Sequence, residues 1–365
     1  MKLLYGVQGT GNGHITRARA LNKYLAEFGL EVDFLFSGRD RDRYFDMEEF
    51  GDKWRSCRGL TFVHEAGRIK MWRTVQSNSL TQYLKDIRQL DLSPYDAILT
   101  DFEPITAWAA KKRNKPCIGI GHQYAFNYDV PKAGDALLPK TVMKYFAPVN
   151  VGLGLHWHHF DAPILPPIAE TPSCDTSKID ASKIIVYLGF EDPTQVIEYL
   201  KPFSDHTFYF YGTFPETKDI GHIRLKPLSK DGFRHDLATA NGVISNAGFE
   251  LSSEAIQLGK KLLIKPLHGQ MEQLSNAKAL ESLGLGMVMN SLDPVVLKAW
   301  LNDFESKQVT YPNVARAIAK WISQGQWHNT TSLVQDLWAQ VRVEGGEHEL
   351  LKSIQHPPTH SKQAA

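Results

Sequence analysis

The first 29 residues read MKLLYGVQGTGNGHITRARALNKYLAEFG, and their pattern decides the fold class. Leu3 to Val7 is a short apolar run typical of a buried strand, and the glycines at positions 9 to 13 predict a loop. Apolar residues then recur at helical spacing from Ile15 to Phe28, and Gly29 is a favourable residue just after a helix. The stretch therefore predicts a strand, a loop and a helix. It fits a first strand better than a signal peptide.

The same alternation continues through the first half of the chain. Strand patterns cover 30–37, 95–100 and 116–121, and helical patterns cover 105–113 and 140–146. Strands and helices in alternation predict a parallel sheet joined by right-handed crossovers. The first half is therefore expected to be a Rossmann-like α/β domain.

The pattern starts again at Lys183 after a stretch rich in proline. Strands are predicted at 183–188, 207–211, 242–245 and 261–265, and helices at 193–200, 274–283, 294–304 and 314–324. We thus expect two Rossmann-like parallel-sheet domains that face each other across a cleft. The predicted bounds are 1–160 for the first domain, 161–182 for a linker, 183–331 for the second domain, 332–343 for a helix that packs back on the first domain, and 344–365 for a mobile tail.

Composition excludes several classes of protein. The chain has 365 residues, of which 42% are hydrophobic and 22% charged, and its formal net charge is +1. This is a globular composition without the basic excess of a nucleic-acid-binding protein. Its three cysteines, Cys57, Cys117 and Cys174, lie far apart and show no metal-binding spacing. We therefore expect a cytoplasmic protein with no nucleic-acid partner.

The loop Gly9-Thr10-Gly11-Asn12-Gly13-His14 resembles a dinucleotide fingerprint but fails its spacing, because His14 stands where the third glycine belongs. Gly11 and Gly13 still allow backbone N–H groups to approach an anionic or hydroxylated ligand at a helix N-terminus. His14 would lie at the mouth of this loop as a general base. A turn with a capping histidine is an equally good interpretation of this motif alone.

Asp101 directly follows the strand that ends at Thr100. Parallel topology places it on the same rim of the sheet as His14. A carboxylate beside an imidazole holds the ring in one tautomer and stabilises its protonated form, so the two residues form a candidate base pair. The alternative is that Asp101 or Glu103 caps the helix that follows.

The most informative stretch runs from Ser245 to Ala277 and includes SNAGFELSSEA at 245–255 and PLHGQMEQLSNA at 266–277. A strand is expected to end at Ser245 and a helix to begin near Gly248, with Asn246 as its cap. The free N–H groups and the dipole of such a helix suit a diphosphate. One turn further, Glu254 is placed to accept two hydrogen bonds from a ribose, and Glu272 and Gln273 offer groups for the hydroxyls of a sugar.

These 33 residues resemble the donor-binding signature of nucleotide-sugar glycosyltransferases of the GT-B type, and Gly9 to His14 resembles their N-terminal loop. The peptidoglycan lipid-intermediate N-acetylglucosaminyltransferases and the UDP-glycosyltransferases belong to this group. The resemblance implies that His14 is the base and Asp101 its partner, that Glu254 binds ribose and that Glu272 and Gln273 hold the donor sugar. Donor contacts are predicted at the following residues: Gly11, Gly13, Gly189, Asn246, Gly248, Phe249, Glu250, Glu254, Glu272 and Gln273.

Three positions depart from that pattern. Asn246 replaces a phosphate-binding histidine, and the stretch Lys226-Pro227-Leu228 replaces the tryptophan that stacks on the base in the plant enzymes. Arg17 stands where those enzymes have a proline, three residues after the loop histidine.

The resemblance implies an inverting enzyme that transfers a sugar from a UDP-sugar to a hydroxyl acceptor. A lipid-linked or cell-envelope glycan is one acceptor that the resemblance allows. No metal or other cofactor is expected. One alternative is a non-hydrolysing sugar-nucleotide 2-epimerase of the same fold. Another is a non-catalytic subunit that binds a glycan or a lipid.

Two further stretches have simpler interpretations than a binding site. Residues 68–73, RIKMWR, combine cations with an aromatic residue and would suit a peripheral contact with the inner face of a membrane, although a solvated face explains them better. His156, His158 and His159 resemble a metal cluster, but no carboxylate or cysteine is spaced to complete it. We expect ordinary loop histidines there.

Overall fold

The structure is a computed structural model that describes residues 1–44, 46–52, 54–60, 64–65, 68–69, 80–133, 145–169, 178–344, 353–355 and 358. The predicted helix at 140–146 lies outside the described residues except for its last two. Within the described ranges the chain forms two parallel sheets flanked by helices, as the alternating pattern predicts.

The first sheet has six parallel strands in the order β3-β2-β1-β6-β7-β8. Its strands are β1 (Lys2–Gln8), β2 (Glu31–Ser37), β3 (Arg55–Cys57), β6 (Ala97–Asp101), β7 (Cys117–Gly121) and β8 (Val151–Gly154). Val7 of β1 pairs with Asp101 of β6. This register brings the glycine loop after β1 next to Asp101.

The second sheet has seven strands in the order β11-β12-β10-β9-β13-β14-β15, all parallel except the edge strand β11. Its strands are β9 (Asp180–Tyr187), β10 (Thr207–Gly212), β11 (Lys218–Ile220), β12 (Ile223–Pro227), β13 (Ala240–Asn246), β14 (Lys261–Lys265) and β15 (Met287–Val288). Two antiparallel pairs stand apart: β4 (His64–Glu65) with β5 (Arg68–Ile69), and β16 (Gln308–Thr310) with β17 (Arg342–Glu344).

The described helices are α1 (Asn12–Glu27), α2 (Leu80–Gln89), α3 (Pro104–Lys112), α4 (Pro193–Leu200), α5 (Lys230–Thr239), α6 (Phe249–Gln257), α7 (Met271–Ser282), α8 (Pro294–Asp303), α9 (Val314–Ser323) and α10 (Thr331–Trp338). The predicted helix over 332–343 is too long. It ends at Trp338, and 342–344 form β17, because Val343 pairs with Val309 across an antiparallel ladder.

The two halves share an apolar core. One cluster of buried side chains includes Tyr5 and Phe36 from the first sheet and Ile185 and Val243 from the second. The chain also returns to the first half after the second sheet. On α9, Arg316 pairs with Glu27 of α1 at 2.7 Å, so this helix contacts the first half.

Part of the predicted mobile tail is packed. Ser353–Gln355 form a 3-10 turn in which Ile354 is fully buried. His158 Nε2 lies 2.9 Å from Ser353 Oγ, and His159 Nε2 lies 3.2 Å from its carbonyl oxygen. The expectation of a mobile tail is wrong for these three residues, because an apolar side chain and two histidines hold them. The tail at 345–352, 356–357 and 359–365 lies outside the described residues.

Candidate active site

The carboxyl ends of the two sheets meet at a cleft of about 920 Å³. The loops after the strands form its walls, as expected for open α/β sheets. A cavity of this size accommodates a nucleotide-sized ligand. Asp101 is fully buried behind the wall that the first half forms. The other predicted site residues all line the cleft: Gly11, Gly13, His14, Gly189, Asn246, Gly248, Phe249, Glu250, Glu254, Glu272 and Gln273.

His14 and Asp101 form a hydrogen-bonded pair on the first wall. His14 lies in the first turn of α1, and its Nδ1 is 2.6 Å from Oδ1 of Asp101 at the end of β6. Their side chains are 15% and 0% exposed. Burial raises the pKa of the Asp101 carboxyl, but the charges of Arg17 and His14 outweigh burial and hold the pKa below its usual range. Asp101 is therefore ionised beside the imidazole.

The alternative that Asp101 or Glu103 caps the helix that follows is confirmed for Glu103 and wrong for Asp101. Glu103 caps α3 instead, because its carboxylate accepts hydrogen bonds from the backbone N–H groups of Ile105 and Thr106, at 2.8 and 2.7 Å. Glu103 is fully buried beneath the cleft. Because Glu103 forms the cap, the Asp101 carboxylate is left to pair with the His14 imidazole and with a third residue.

That third residue is Arg17, which the sequence analysis noted only as a departure from the family pattern. Its Nε and Nη2 donate to the two carboxylate oxygens of Asp101, at 2.7 and 2.5 Å. Its side chain is 1% exposed. The signal was present in the sequence, since a residue three positions after His14 lies on the same face of a helix.

Three helices begin at the cleft with no side-chain cap. The N-cap residues are Gly11 for α1, Gly248 for α6 and Gln270 for α7, and all three line the cleft. A fourth helix at the cleft, α5, is capped by the Ser229 side chain, and α10, which begins elsewhere, has no side-chain cap. Uncapped N–H groups and the helix dipole attract an anion. The second wall therefore offers a site for negative charge where the sequence predicts a diphosphate.

Asn246 does not cap α6, contrary to expectation. Its Nδ2 donates to the carbonyl oxygen of Lys265 at 3.0 Å, which ties the ends of β13 and β14 together. Gly248 is the N-cap, so the predicted start of the helix is confirmed. The amide of Asn246 is used within the sheet because it lies at the last position of β13.

The side chains predicted to hold the donor lie together around these helix starts. Glu272 Oε2 accepts a hydrogen bond from Gln123 Nε2 of the first half at 3.2 Å. Gln273 Oε1 accepts a hydrogen bond from the backbone N–H of Leu267 at 2.8 Å, which fixes the position of this side chain. Glu254 lines the cleft one turn into α6.

Phe249 and Glu250 contact the first half of the protein. The Phe249 ring is 2% exposed and stacks on His122, with ring centroids 4.0 Å apart. Glu250 accepts a hydrogen bond from Arg17 Nη1. These contacts make both residues part of the interface between the halves, and donor binding by them stays a prediction.

The cleft also contains aromatic and basic residues that no sequence motif indicated. Tyr187, Tyr211 and Phe233 line the second wall together with Phe190, whose side chain is 38% exposed. The exposed ring of Phe190 suits stacking with a nucleobase, whereas Tyr211 is buried. Leu228, from the stretch that replaces the stacking tryptophan, also lines the cleft and is 38% exposed. Cations line it as well: Arg19, Arg39, Arg43, Lys230 and Arg234.

His156, His158 and His159 are structural, as expected. Each Nδ1 accepts a hydrogen bond from a nearby backbone N–H group, at 2.7 to 3.0 Å. Within the described ranges, no group of three or more His, Cys, Asp or Glu residues is arranged to hold a metal ion. The side chains of the predicted membrane-contact stretch, 68–73, lie outside the description. No described helix combines the length and apolar character that a membrane span requires.

Two parallel-sheet halves with a cleft at their carboxyl ends define the GT-B fold. The chain belongs to glycosyl transferase family 1, whose sequence profile matches residues 1–304. It is therefore an enzyme that transfers sugars. None of the curated proteins matches it in sequence.

Solved structures agree with this fold. The spinosyn rhamnosyltransferase SpnG is 16% identical, with a TM-score of 0.57 over 92% of this chain and 100% of the other. LpCGTa, solved in complex with UDP, is 14% identical, with a TM-score of 0.55 over 88% and 93%. MurG of Acinetobacter baumannii is 13% identical, with a TM-score of 0.52 over 88% and 99%. At these identities the similarity extends to the fold alone.

Proposed function

We propose that the protein is an inverting glycosyltransferase that moves a sugar from a nucleotide-diphosphate sugar to a hydroxyl group of an acceptor. One observation carries this proposal. The His14–Asp101 pair lies on one wall of the cleft, and the uncapped N-termini of α6 and α7 lie on the other. A base thus faces an anion site across a cavity large enough for a nucleotide-sugar.

The donor lies along the second wall in this proposal. Its diphosphate contacts the N–H groups after Gly248, and its ribose contacts Glu254. Glu272 and Gln273 hold the transferred sugar. This sugar lies close to the first wall, because Glu272 is hydrogen-bonded to Gln123 of the first half. The resemblance to UDP-glycosyltransferases, together with the similarity in fold to LpCGTa with its bound UDP, supports UDP as the nucleotide.

The chemistry is a single displacement. Asp101 is hydrogen-bonded to Nδ1 of His14. The other ring nitrogen, Nε2, is therefore left to accept the proton of the acceptor hydroxyl. The acceptor oxygen bonds to the anomeric carbon from the face opposite the donor diphosphate, and the bond from that carbon to the diphosphate oxygen breaks. The leaving group keeps the electron pair, and the helix N-termini stabilise its charge without a metal ion. Attack from the opposite face inverts the anomeric centre.

The acceptor binds against the first half of the protein in this proposal. The resemblance to lipid-intermediate enzymes makes lipid-linked acceptors and cell-envelope glycans the first compounds to test. A thermal-shift panel of nucleoside diphosphates and their sugars identifies the donor first, because selective binding raises the melting temperature.

The His14→Ala variant then tests the chemistry. We expect transfer to fall by about 100-fold or more, while the Kd for the nucleoside diphosphate stays unchanged. His235→Ala, at an exposed position of α5, is the matched control and keeps full activity. Undiminished turnover in His14→Ala, or a product of retained anomeric configuration, contradicts the proposal. Conversion of the donor to its 2-epimer without an acceptor supports the epimerase instead.

A further inference from the structure

Two arginines of the first half line the cleft close to each other. Arg39 and Arg43 follow β2, which pairs with β1 in the first sheet. Arg39 is half-buried, and Arg43 is exposed at the end of the 3-10 turn Arg41–Arg43. The proposed function leaves both residues without a role.

Neutral groups hold the Arg39 guanidinium in place. Its Nε donates to the carbonyl oxygen of Gly9, and its Nη1 and Nη2 both donate to Oδ1 of Asn12 at 3.2 Å. The guanidinium carbon lies over the Tyr44 ring, 5.2 Å from the ring centroid. These contacts fix the guanidinium beside the glycine loop, but they do not neutralise its charge.

Within the described ranges, no carboxylate forms an ion pair with Arg39 or Arg43. Burial lowers the pKa of Arg39, the Tyr44 and Tyr187 phenols partly offset this effect, and the charge of Arg43 lowers the pKa further. Burial also raises the pKa of both phenols, so they are neutral at neutral pH. Arginine stays protonated under these conditions. The charged group that acts on Arg39 is therefore a second cation.

Two other cations of the cleft are already balanced. Lys230 pairs with Glu49. Burial lowers the pKa of Arg19, and the carboxylates of Glu49 and Asp46 counteract this effect. Arg19 Nη2 also donates to the carbonyl oxygen of Asp46 at 2.5 Å. The excess of positive charge thus lies at Arg39 and Arg43.

Open space adjoins the loop that holds Arg39. Gly11 lies between Gly9 and Asn12, and no described atom comes within 4 Å of the place where a Cβ on Gly11 would stand. The helix α1 begins at the same point without a side-chain cap. An acidic group in this space would meet two guanidinium groups, which bind such groups through charge-assisted hydrogen bonds.

The arginine pair lies on the wall that the proposed function gives to the acceptor. In the first sheet, β1 stands between β2 and β6. The pair therefore lies on one side of the loop that carries His14, and Asp101 lies on the other. The proposed donor diphosphate contacts α6 on the second wall. The pair is thus a second site for negative charge.

We propose that Arg39 and Arg43 bind an acidic group of the acceptor, a phosphate or a carboxylate, while His14 takes the proton of its hydroxyl. The planar guanidinium fork matches both acidic groups with two parallel hydrogen bonds. The acceptor is therefore a phosphorylated or carboxylated compound. This inference rests on the proposed function, because it assigns the pair to the acceptor.

Anion binding tests the site without any turnover. Arginine-labelled protein is held with UDP in the cleft and titrated by NMR with inorganic phosphate or with acetate, at constant ionic strength. The Arg39 Nε–H signal is assigned by its absence in Arg39→Gln. We expect this signal to shift in a saturable manner with at least one of the two anions. Saturation by phosphate alone indicates a phosphorylated acceptor, and saturation by acetate alone indicates a carboxylated one.

Arg43→Gln is the decisive variant, because Arg43 is exposed and its loss leaves the contacts of Arg39 intact. We expect the Kd for the anion to weaken about tenfold, with an unchanged Tm. Arg41→Gln is the matched control from the same turn, since Arg41 stacks on Trp54 at 4.1 Å, and its Kd should equal that of the wild type. The absence of a saturable shift with both anions, or an equal Kd in Arg43→Gln, overturns the inference. A shift that UDP abolishes makes the pair a donor ligand and overturns it as well.

Transfer kinetics assign the site to the acceptor. Acceptors are compared in pairs, each an acidic compound and its neutral analogue, such as a methyl glucuronide and a methyl glucoside. In Arg43→Gln we expect the KM for the acidic acceptor to rise about tenfold and the KM for the donor to stay unchanged. Equal use of acidic and neutral acceptors by the wild type overturns the inference. Anion binding in a protein without transferase activity would uphold the anion site and reject the proposed function.

Discussion

Gly248 offers a direct test of the anion site, because neither its backbone nor its packing requires glycine. Its φ and ψ are −75° and 141°, a region open to any residue. Among the described residues, no atom lies within 4 Å of the position a Cβ would take. The proposed diphosphate would lie beside this open space. The change to make is Gly248→Asp, with Gly248→Asn as an uncharged variant of the same shape.

Both variants should cap α6 and stabilise the free protein by a few tenths of a kcal/mol, since the helix has no side-chain cap. Their effects on the donor should differ. An aspartate about 4 Å from a diphosphate oxygen experiences a repulsion of up to about 4 kcal/mol near a protein surface, and water in the open cleft reduces it. We expect Gly248→Asp to bind UDP about 10 to 100 times more weakly than Gly248→Asn.

Isothermal titration with UDP measures this difference, and urea unfolding shows that both variants are folded. Equal affinities in Gly248→Asp, Gly248→Asn and the wild type would refute the placement of the diphosphate at α6. Loss of affinity in both variants to the same extent would mean that volume, and not charge, decides binding.

Three further predictions follow from the packing around the cleft. Burial lowers the pKa of His122 and of His156, so their contribution to stability is complete above pH 6.5 and is lost as the pH falls below it. The Tm should therefore fall between pH 7 and pH 5, and it should fall by less in His156→Gln. A Tm independent of pH would contradict this prediction. Ile354→Ala should reduce the free energy of unfolding by about 2 kcal/mol, measured with urea, and no loss would mean that the turn at 353–355 does not pack in solution. Transfer should continue at the same rate in excess EDTA, since the helix N-termini stabilise the leaving group; a rate restored only by Mg²⁺ would contradict metal independence.

The regular elements were largely predictable. The strand at Leu3 to Val7, the helix at 193–200 and the strand at 261–265 appear within about two residues of their predicted bounds, because buried strands and amphipathic helices leave strong periodic patterns. Several described elements were not predicted: the strands β3, β4, β5, β8, β11, β12, β15 and β16 and the helices α2 and α5. Edge strands are short and half exposed, so their residues carry little pattern.

The site was predictable in its residues but less so in their roles. The glycine loop, His14 and the stretch after β13 all line the cleft as expected, and Asp101 contacts His14 from behind the wall. The cap at α3 comes from Glu103, not from Asp101. The residues at the interface, Phe249 and Glu250, contact the first half of the protein. Local sequence rules describe caps and loops, but they do not report which side chains from distant segments meet.

The sequence by itself determined the alternating α/β pattern of both halves and the loops that carry polar residues, since each depends on local periodicity and on neighbours along the chain. The tertiary structure alone decided that Arg17 pairs with Asp101 and Glu250. These residues are separated by 84 and 233 positions along the chain. A buried ion pair forms only where folding removes water and brings opposite charges together, and no local pattern encodes that meeting.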